Sequence, residues 1–197
     1  MSTLLPFNPL DKAQLGESVT RALLAQPPQA LAQVPKFLGC GMYALYYSGP
    51  HPAYRAFAEL PEGCEVPIYV GKAVPEGSRK GLAVVDASQS DALCARLREH
   101  ARSIKVAANL DLDHFSCRFL VVDDIWIPLG ESLLIARFSP VWNSVIEGFG
   151  NHAPGKGRHE GLRPRWDVLH PGRSWAAKCK ERPPEETAEA LTQEADT

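Results

Sequence analysis

GMYALYY (Gly41–Tyr47) and VPIYVGK (Val66–Lys72) are the stretches whose reading decides the fold. Each is a short apolar and aromatic run set among prolines, Pro50 and Pro52 after the first and Pro67 inside the second, so each reads as a strand. Each also holds a tyrosine close to a glycine, in Gly41-Met42-Tyr43 and Tyr69-Val70-Gly71. Strands over Gly41–Tyr47 and Val66–Val70, paired antiparallel, put Tyr43 and Tyr69 on adjacent strands.

Outward from these strands, Asp11–Ala25 carries Leu15, Val19, Ala22 and Leu23 at helical spacing and stops at Pro27-Pro28. Ser48–Glu65 reads as an insertion with at most a short helix near Tyr54–Leu60. Gly77–Gly81 reads as a flexible basic loop. Ser88–Lys105 is the clearest helix, capped by Ser88 or Ser90 with Asp91 in its first turn. Phe115–Val122 is a third strand, and Pro128 opens a helix to about Phe138 that Pro140 stops. The expected class is α+β, a small three-stranded antiparallel sheet flanked by helices, with an N-terminal helix and a basic C-terminal extension. Four segments follow: 1–40 helical, 41–148 the core with its insertion at 48–65, 149–182 basic, and 183–197 acidic and expected to lack order.

A chain of 197 residues can bury one core with extensions. Its net charge of −2 does not argue for a nucleic-acid partner, but the distribution of charge does. Asn151–Arg182 holds eight Lys/Arg against three acids, whereas Pro183–Thr197 holds five acids and no base. Five cysteines, odd in number and without a CxxC, exclude a disulfide framework and a zinc ribbon. The start is short and proline-broken and no apolar run approaches the length of a membrane span, so a cytoplasmic location is expected, with no membrane partner.

On the helix from Ser88, Leu93, Leu97 and Ile104 form a buried stripe with His100 in its middle. Arg96 sits on the stripe's edge, while Arg98, Glu99 and Arg102 point away. Two basic groups on a core-facing side need partners. Those partners are either a structural carboxylate and a core hydrogen bond, or a phosphate bound at an active-site floor, where arginine can make a bidentate contact. Glu131 falls in the first turn of a helix that is apolar almost all round and therefore expected to be buried. It serves either the helix dipole or a hard cation. Tyr43 and Tyr69 are either packing groups or a site pair. A phenol with an ordinary pKa near 10 needs help to accept a proton at neutral pH, which Lys72 or His100 could give. Asn143 caps a loop or positions water or phosphate.

The ordered set Tyr43, Tyr69, Arg96, His100, Glu131 and Asn143 resembles the signature of the GIY-YIG nuclease superfamily, over roughly Gly41–Asn143. Met42 and Val70 stand where isoleucines are usual. The spacing from Arg96 to His100 and the phrases YALYYSG and PIYVGKAVPEGSRKG are most similar to its type II restriction endonuclease branch, whose members known to cut CCGCGG are homodimers. The resemblance implies Tyr43 as general base assisted by His100, Arg96 and Tyr69 on the phosphate, and Lys72 and Asn143 in the catalytic set. Glu131 would hold one Mg²⁺, replaceable by Mn²⁺. It also implies double-stranded DNA as substrate, a cognate methyltransferase protecting the same site, and a bacterial source.

A palindromic target calls for a two-fold dimer, and the candidate DNA contacts are Arg79, Lys80, His159, Arg163 and Arg165. They read bases, touch phosphates, or do neither. Two other functions remain open: a structure-specific repair nickase, and a non-catalytic DNA-binding protein on the same scaffold.

Overall fold

The computed structural model of the chain describes residues 11–60, 66–75, 89–153 and 160–196. Asp11 caps helix α1 (Lys12–Leu24), its carboxylate accepting from the Ala13 and Gln14 amides. Strands β1 (Gln29–Ala30), β2 (Gly41–Tyr47), β3 (Tyr69–Ala73) and β4 (Phe115–Val121) form one antiparallel sheet in the order β1-β4-β2-β3. The expected three strands gain a fourth, too short to announce itself: two residues between Pro28 and Leu31, paired with Ser116 and Cys117.

The second strand starts later than its sequence suggests, at Tyr69 rather than Val66. Pro67 has no N–H to give, and the ladder begins with the Ile68 amide on the Leu45 carbonyl at 2.8 Å. Pairing then runs to Ala73 opposite Gly41, with Tyr43 facing Gly71. A side chain at Gly41 would drive its Cβ to 1.8 Å from the Leu120 carbonyl oxygen, so the neighbouring strand fixes this glycine.

Alternation along β2 divides the core in two. Tyr43, Leu45 and Tyr47 join Leu93, Leu97 and Ile104 of helix α3 (Ala92–Val106), with Trp142 and Trp166 beyond. Met42, Ala44 and Val70 face the other way, against Leu23 of α1 and Leu134 of helix α4 (Ile127–Phe138). The two residues standing where isoleucines are usual therefore belong to the α1/α4 side. In α3, Asp91 sits at the cap position, while the Ser90 hydroxyl accepts from the Ala92 amide.

Helix α4 ends as expected, with Ser139 in the left-handed region before Pro140. It is not buried all round: Ile127, Gly130 and Leu134 are covered and Ala136 is exposed. Nor is Glu131 in its first turn, because the helix begins at Ile127, out of a 3-10 turn over Asp124–Trp126.

The described residues beyond Gly148 are more ordered than their composition suggests. Short helices α2 (Arg55–Ala58), α5 (Val141–Ser144) and α6 (Arg165–Leu169) precede α7 (Ala188–Ala195), which lies in the tail expected to lack order. Thr187 caps α7, and Leu191, 1% exposed, anchors it in the main core. One buried apolar residue on a capped helix outweighs the acidic composition on which the expectation rested. The presumed insertion is equally integral: Tyr54, wholly buried, accepts from the Trp142 indole N–H at 2.7 Å.

Candidate active site

The site forms where β2 and β3 present their tyrosines to α3. Tyr43 Oη lies 2.5 Å from His100 Nε2, and both side chains are buried. Tyr69 packs edge-on to His100, with ring centroids 5.4 Å apart, and Phe149 stacks on the imidazole at 4.5 Å while also meeting the Tyr69 ring edge-on. Gly71 makes this possible. A Cβ there would stand 2.4 Å from Tyr43 Oη and 2.9 Å from Tyr69 Cε1. The glycine of the second tripeptide is thus the floor across which the Tyr43 hydroxyl reaches.

Electrostatics keep both partners neutral at rest. Burial pushes the Tyr43 phenol well above its ordinary value; the neighbouring Tyr69 and the Glu131 charge add to this, while Arg96 opposes it. Burial, joined by Arg96, Arg173 and His152, holds the His100 imidazole well below its own. Burial likewise raises the Tyr69 phenol against the pull of Arg96.

Arg96 is on the stripe's edge as expected, but it does not meet Tyr43 alone. Its guanidinium donates to Glu99 Oε2 at 2.6 Å and to the Gly150 carbonyl at 2.5 Å, with His152 also in contact. Glu99, expected to point away, turns back because it is the carboxylate that a half-buried arginine three residues earlier needs. Arg98 and Arg102 do remain exposed.

Lys72 and Glu131 lie across the sheet from the tyrosines, since Lys72 faces Met42 in the register. They form an ion pair, Lys72 Nζ to Glu131 Oε2 at 2.5 Å. Lys72 is therefore engaged by the carboxylate rather than by either tyrosine. Because β3 is the edge strand, the two faces meet around it, and the Glu131 charge still bears on both phenols.

Among the described residues no three His, Cys, Asp or Glu side chains converge as a metal site. Glu131 has the chemistry a hard divalent ion asks for: it is a partly covered carboxylate with one oxygen on Lys72, and Mg²⁺ takes one or two carboxylates and keeps its waters. Asn143 is occupied by backbone. Its Oδ1 accepts from the Val70 amide and its Nδ2 donates to the Val70 carbonyl, both at 2.8 Å, extending the edge of β3 as another strand would.

The DNA-contact candidates divide. Arg79, Lys80 and His159 lie outside the described residues. Arg163 Nε donates to the Ala176 carbonyl at 3.3 Å, and Arg165 is paired with Glu194 and Glu186.

The supports behind the site were missed in the sequence. Arg173, counted only among the basic residues, is 6% exposed, paired with buried Asp167 at 2.5 Å, and donates to the Gly148, Phe149 and Asn151 carbonyls. It pins the loop that presents Phe149 to His100 and Gly150 to Arg96. A second Tyr–His pair, Tyr54 Oη to His170 Nε2 at 2.5 Å, is fixed by Asn109 and Trp142 beneath the insertion. The signal for either was at best a charged residue flanked by tryptophans, as Arg173 is by Trp166 and Trp175.

An antiparallel sheet bearing two tyrosines, packed on a helix bearing arginine and histidine, with a glutamate at the sheet's edge, defines a GIY-YIG nuclease domain. The chain belongs to the Eco29kI GIY-YIG domain family, a type II restriction endonuclease family whose model matches residues 35–196. No curated protein matches it. The described residues contain no helix long and apolar enough to cross a membrane.

Proposed function

We propose that this nuclease is a type II restriction endonuclease that cuts both strands of DNA at a GC-rich palindrome such as CCGCGG. It acts as a homodimer, and a cognate methyltransferase protects the same site. The observation that carries the catalytic part is the 2.5 Å contact between Tyr43 Oη and His100 Nε2, beside Arg96 and within reach of the Glu131 charge.

Neither a phenolate nor an imidazolium is stable at rest in this pocket, so Tyr43 works as one link in a proton relay. With the lone pair on His100 Nε2, the Tyr43 proton moves to the imidazole as the phenol oxygen takes the proton of the attacking water. The water oxygen bonds to phosphorus, and the bond to the leaving oxygen breaks. Arg96 exchanges its Gly150 carbonyl for a phosphate oxygen and offsets the negative charge gathering on the non-bridging oxygens; Tyr69 hydrogen-bonds the same group. Glu131 would hold Mg²⁺ or Mn²⁺, whose charge steadies the departing oxygen. Lys72, paired with Glu131, keeps that carboxylate in place while it is empty.

The test is incubation with plasmid DNA containing CCGCGG, with Mg²⁺ and with EDTA, followed by sequencing of the ends. Discrete double-strand breaks that require the metal and disappear on methylated DNA support the proposal. Nicks confined to branched substrates contradict it, as does binding without cleavage.

A further inference from the structure

A cleft of about 500 Å³ opens beside Tyr69, lined by Asn143, Gly150, Asn151, Arg165 and Arg182 among others. Its two arginines are held by backbone. Arg165 donates to the Val145 carbonyl at 2.6 Å, and Arg182 to the Arg163 carbonyl at 3.1 Å. Their remaining N–H edges meet the acidic tail. Glu194 takes the fork of Arg165, and Glu186 lies between the two guanidinium groups, hydrogen-bonded to Arg182. Glu186 serves Arg165 poorly: its Oε1 is 3.5 Å from Arg165 Nε, a buried donor left with no hydrogen-bond partner.

Two guanidinium groups fixed by carbonyls, with one buried donor unmet, form an oxyanion site occupied by borrowed carboxylates. A phosphate offers an arginine the same planar fork, with a third oxygen to spare. The glutamates are partly exposed, so the pairs they make are weak and exchangeable. Helix α7 does not depend on them, since Leu191 and the Thr187 cap hold it.

We infer that Arg165 and Arg182 form a subsite for a backbone phosphate of the DNA strand running on from the cleaved bond, and that Glu186 and Glu194 occupy it until DNA displaces them. The inference rests on the proposed nuclease activity for its substrate. It explains why a basic segment and an acidic tail adjoin in this chain: the tail is a counter-charge folded onto the groove.

The test is anisotropy with a 20-base-pair duplex lacking CCGCGG, in EDTA, over a series of salt concentrations. The double variant Glu186→Gln/Glu194→Gln should bind several-fold more tightly than the parent. Arg182→Gln should bind more weakly and lower the slope of log affinity against log salt by about 0.9, the share of one phosphate contact. Melting curves identify any variant that has lost its fold, and if Arg182→Gln unfolds, the glutamate variant decides. Unchanged affinity in the folded glutamate variant, or an unchanged slope in folded Arg182→Gln, overturns the subsite. If such variants still cut plasmid DNA, only the subsite is lost. If the parent cuts no DNA, the activity is lost while the salt slopes still decide the subsite.

Discussion

Gly71→Ala tests how tightly the site is built. An added Cβ would stand 2.4 Å from Tyr43 Oη and 2.6 Å from its Cζ, where such contacts essentially never fall below 3.0 Å, so something must yield by at least 0.6 Å. β3 is paired to β2 through this residue, and Tyr43 is wholly buried, so neither backbone nor ring has free space to enter. Overpacking of this kind costs about 1–3 kcal/mol. For a chain of this size each kcal/mol shifts Tm by roughly 2–4 °C, so a fall of about 2–12 °C is expected. Moving the hydroxyl also lengthens its 2.5 Å contact with His100, and misplacement by about 1 Å can cost on the order of 10²-fold in rate. Single-turnover cleavage and thermal melting of the same preparation separate the two losses. In a Tyr43→Phe background the melting penalty should shrink, because the nearest clashing atom is gone. Cleavage within twofold of the parent, with an unchanged Tm, would refute the reasoning.

Other consequences follow from the buried polar groups. His100 and His170 are both held well below the ordinary imidazole value, chiefly by burial, so the folded protein refuses protons that the unfolded chain accepts below about pH 6.5. Stability should be full above that pH and fall as the pH drops through the folded-state values; a Tm flat from pH 8 to pH 5 would contradict this. Asp167→Ala leaves the Arg173 guanidinium uncompensated in the core and should cost about 3–5 kcal/mol, read by denaturant melting. Asn143→Ala strips partners from the Val70 amide and carbonyl and should cost about 1–3 kcal/mol, with the loss visible in Tm as well as in rate. Loss of rate with no change in Tm would instead return Asn143 to a direct catalytic role.

What the sequence disclosed and what it hid differ by the range of the interaction. Helix α1 followed from the spacing of Leu15, Val19, Ala22 and Leu23; the buried stripe of α3, His100 included, followed from a 3.6-residue period. These are local patterns. Strand β1 was hidden because two residues carry no period, and α7 because one leucine supplies its anchorage. Within the site, residue identities were legible but partners were not. Lys72 finds Glu131 59 residues away, and Asn143 closes on Val70 across 73 residues. Glu99 looked solvent-facing on a helical wheel that cannot show Arg96 reaching back for it. Arg173 counted as one more positive charge of the basic segment, yet it is a core residue that holds the Gly148–Asn151 loop.

Single-turnover cleavage by Tyr43→Phe, alongside its affinity for the same duplex, bears most directly on the role given to the Tyr43–His100 pair. Removing one buried oxygen should leave binding within a few-fold of the parent and slow cutting by about 10²–10⁴-fold, the usual contribution of a positioned proton acceptor. If Tyr43→Phe cuts as fast as the parent while binding equally well, the relay through His100 does not exist.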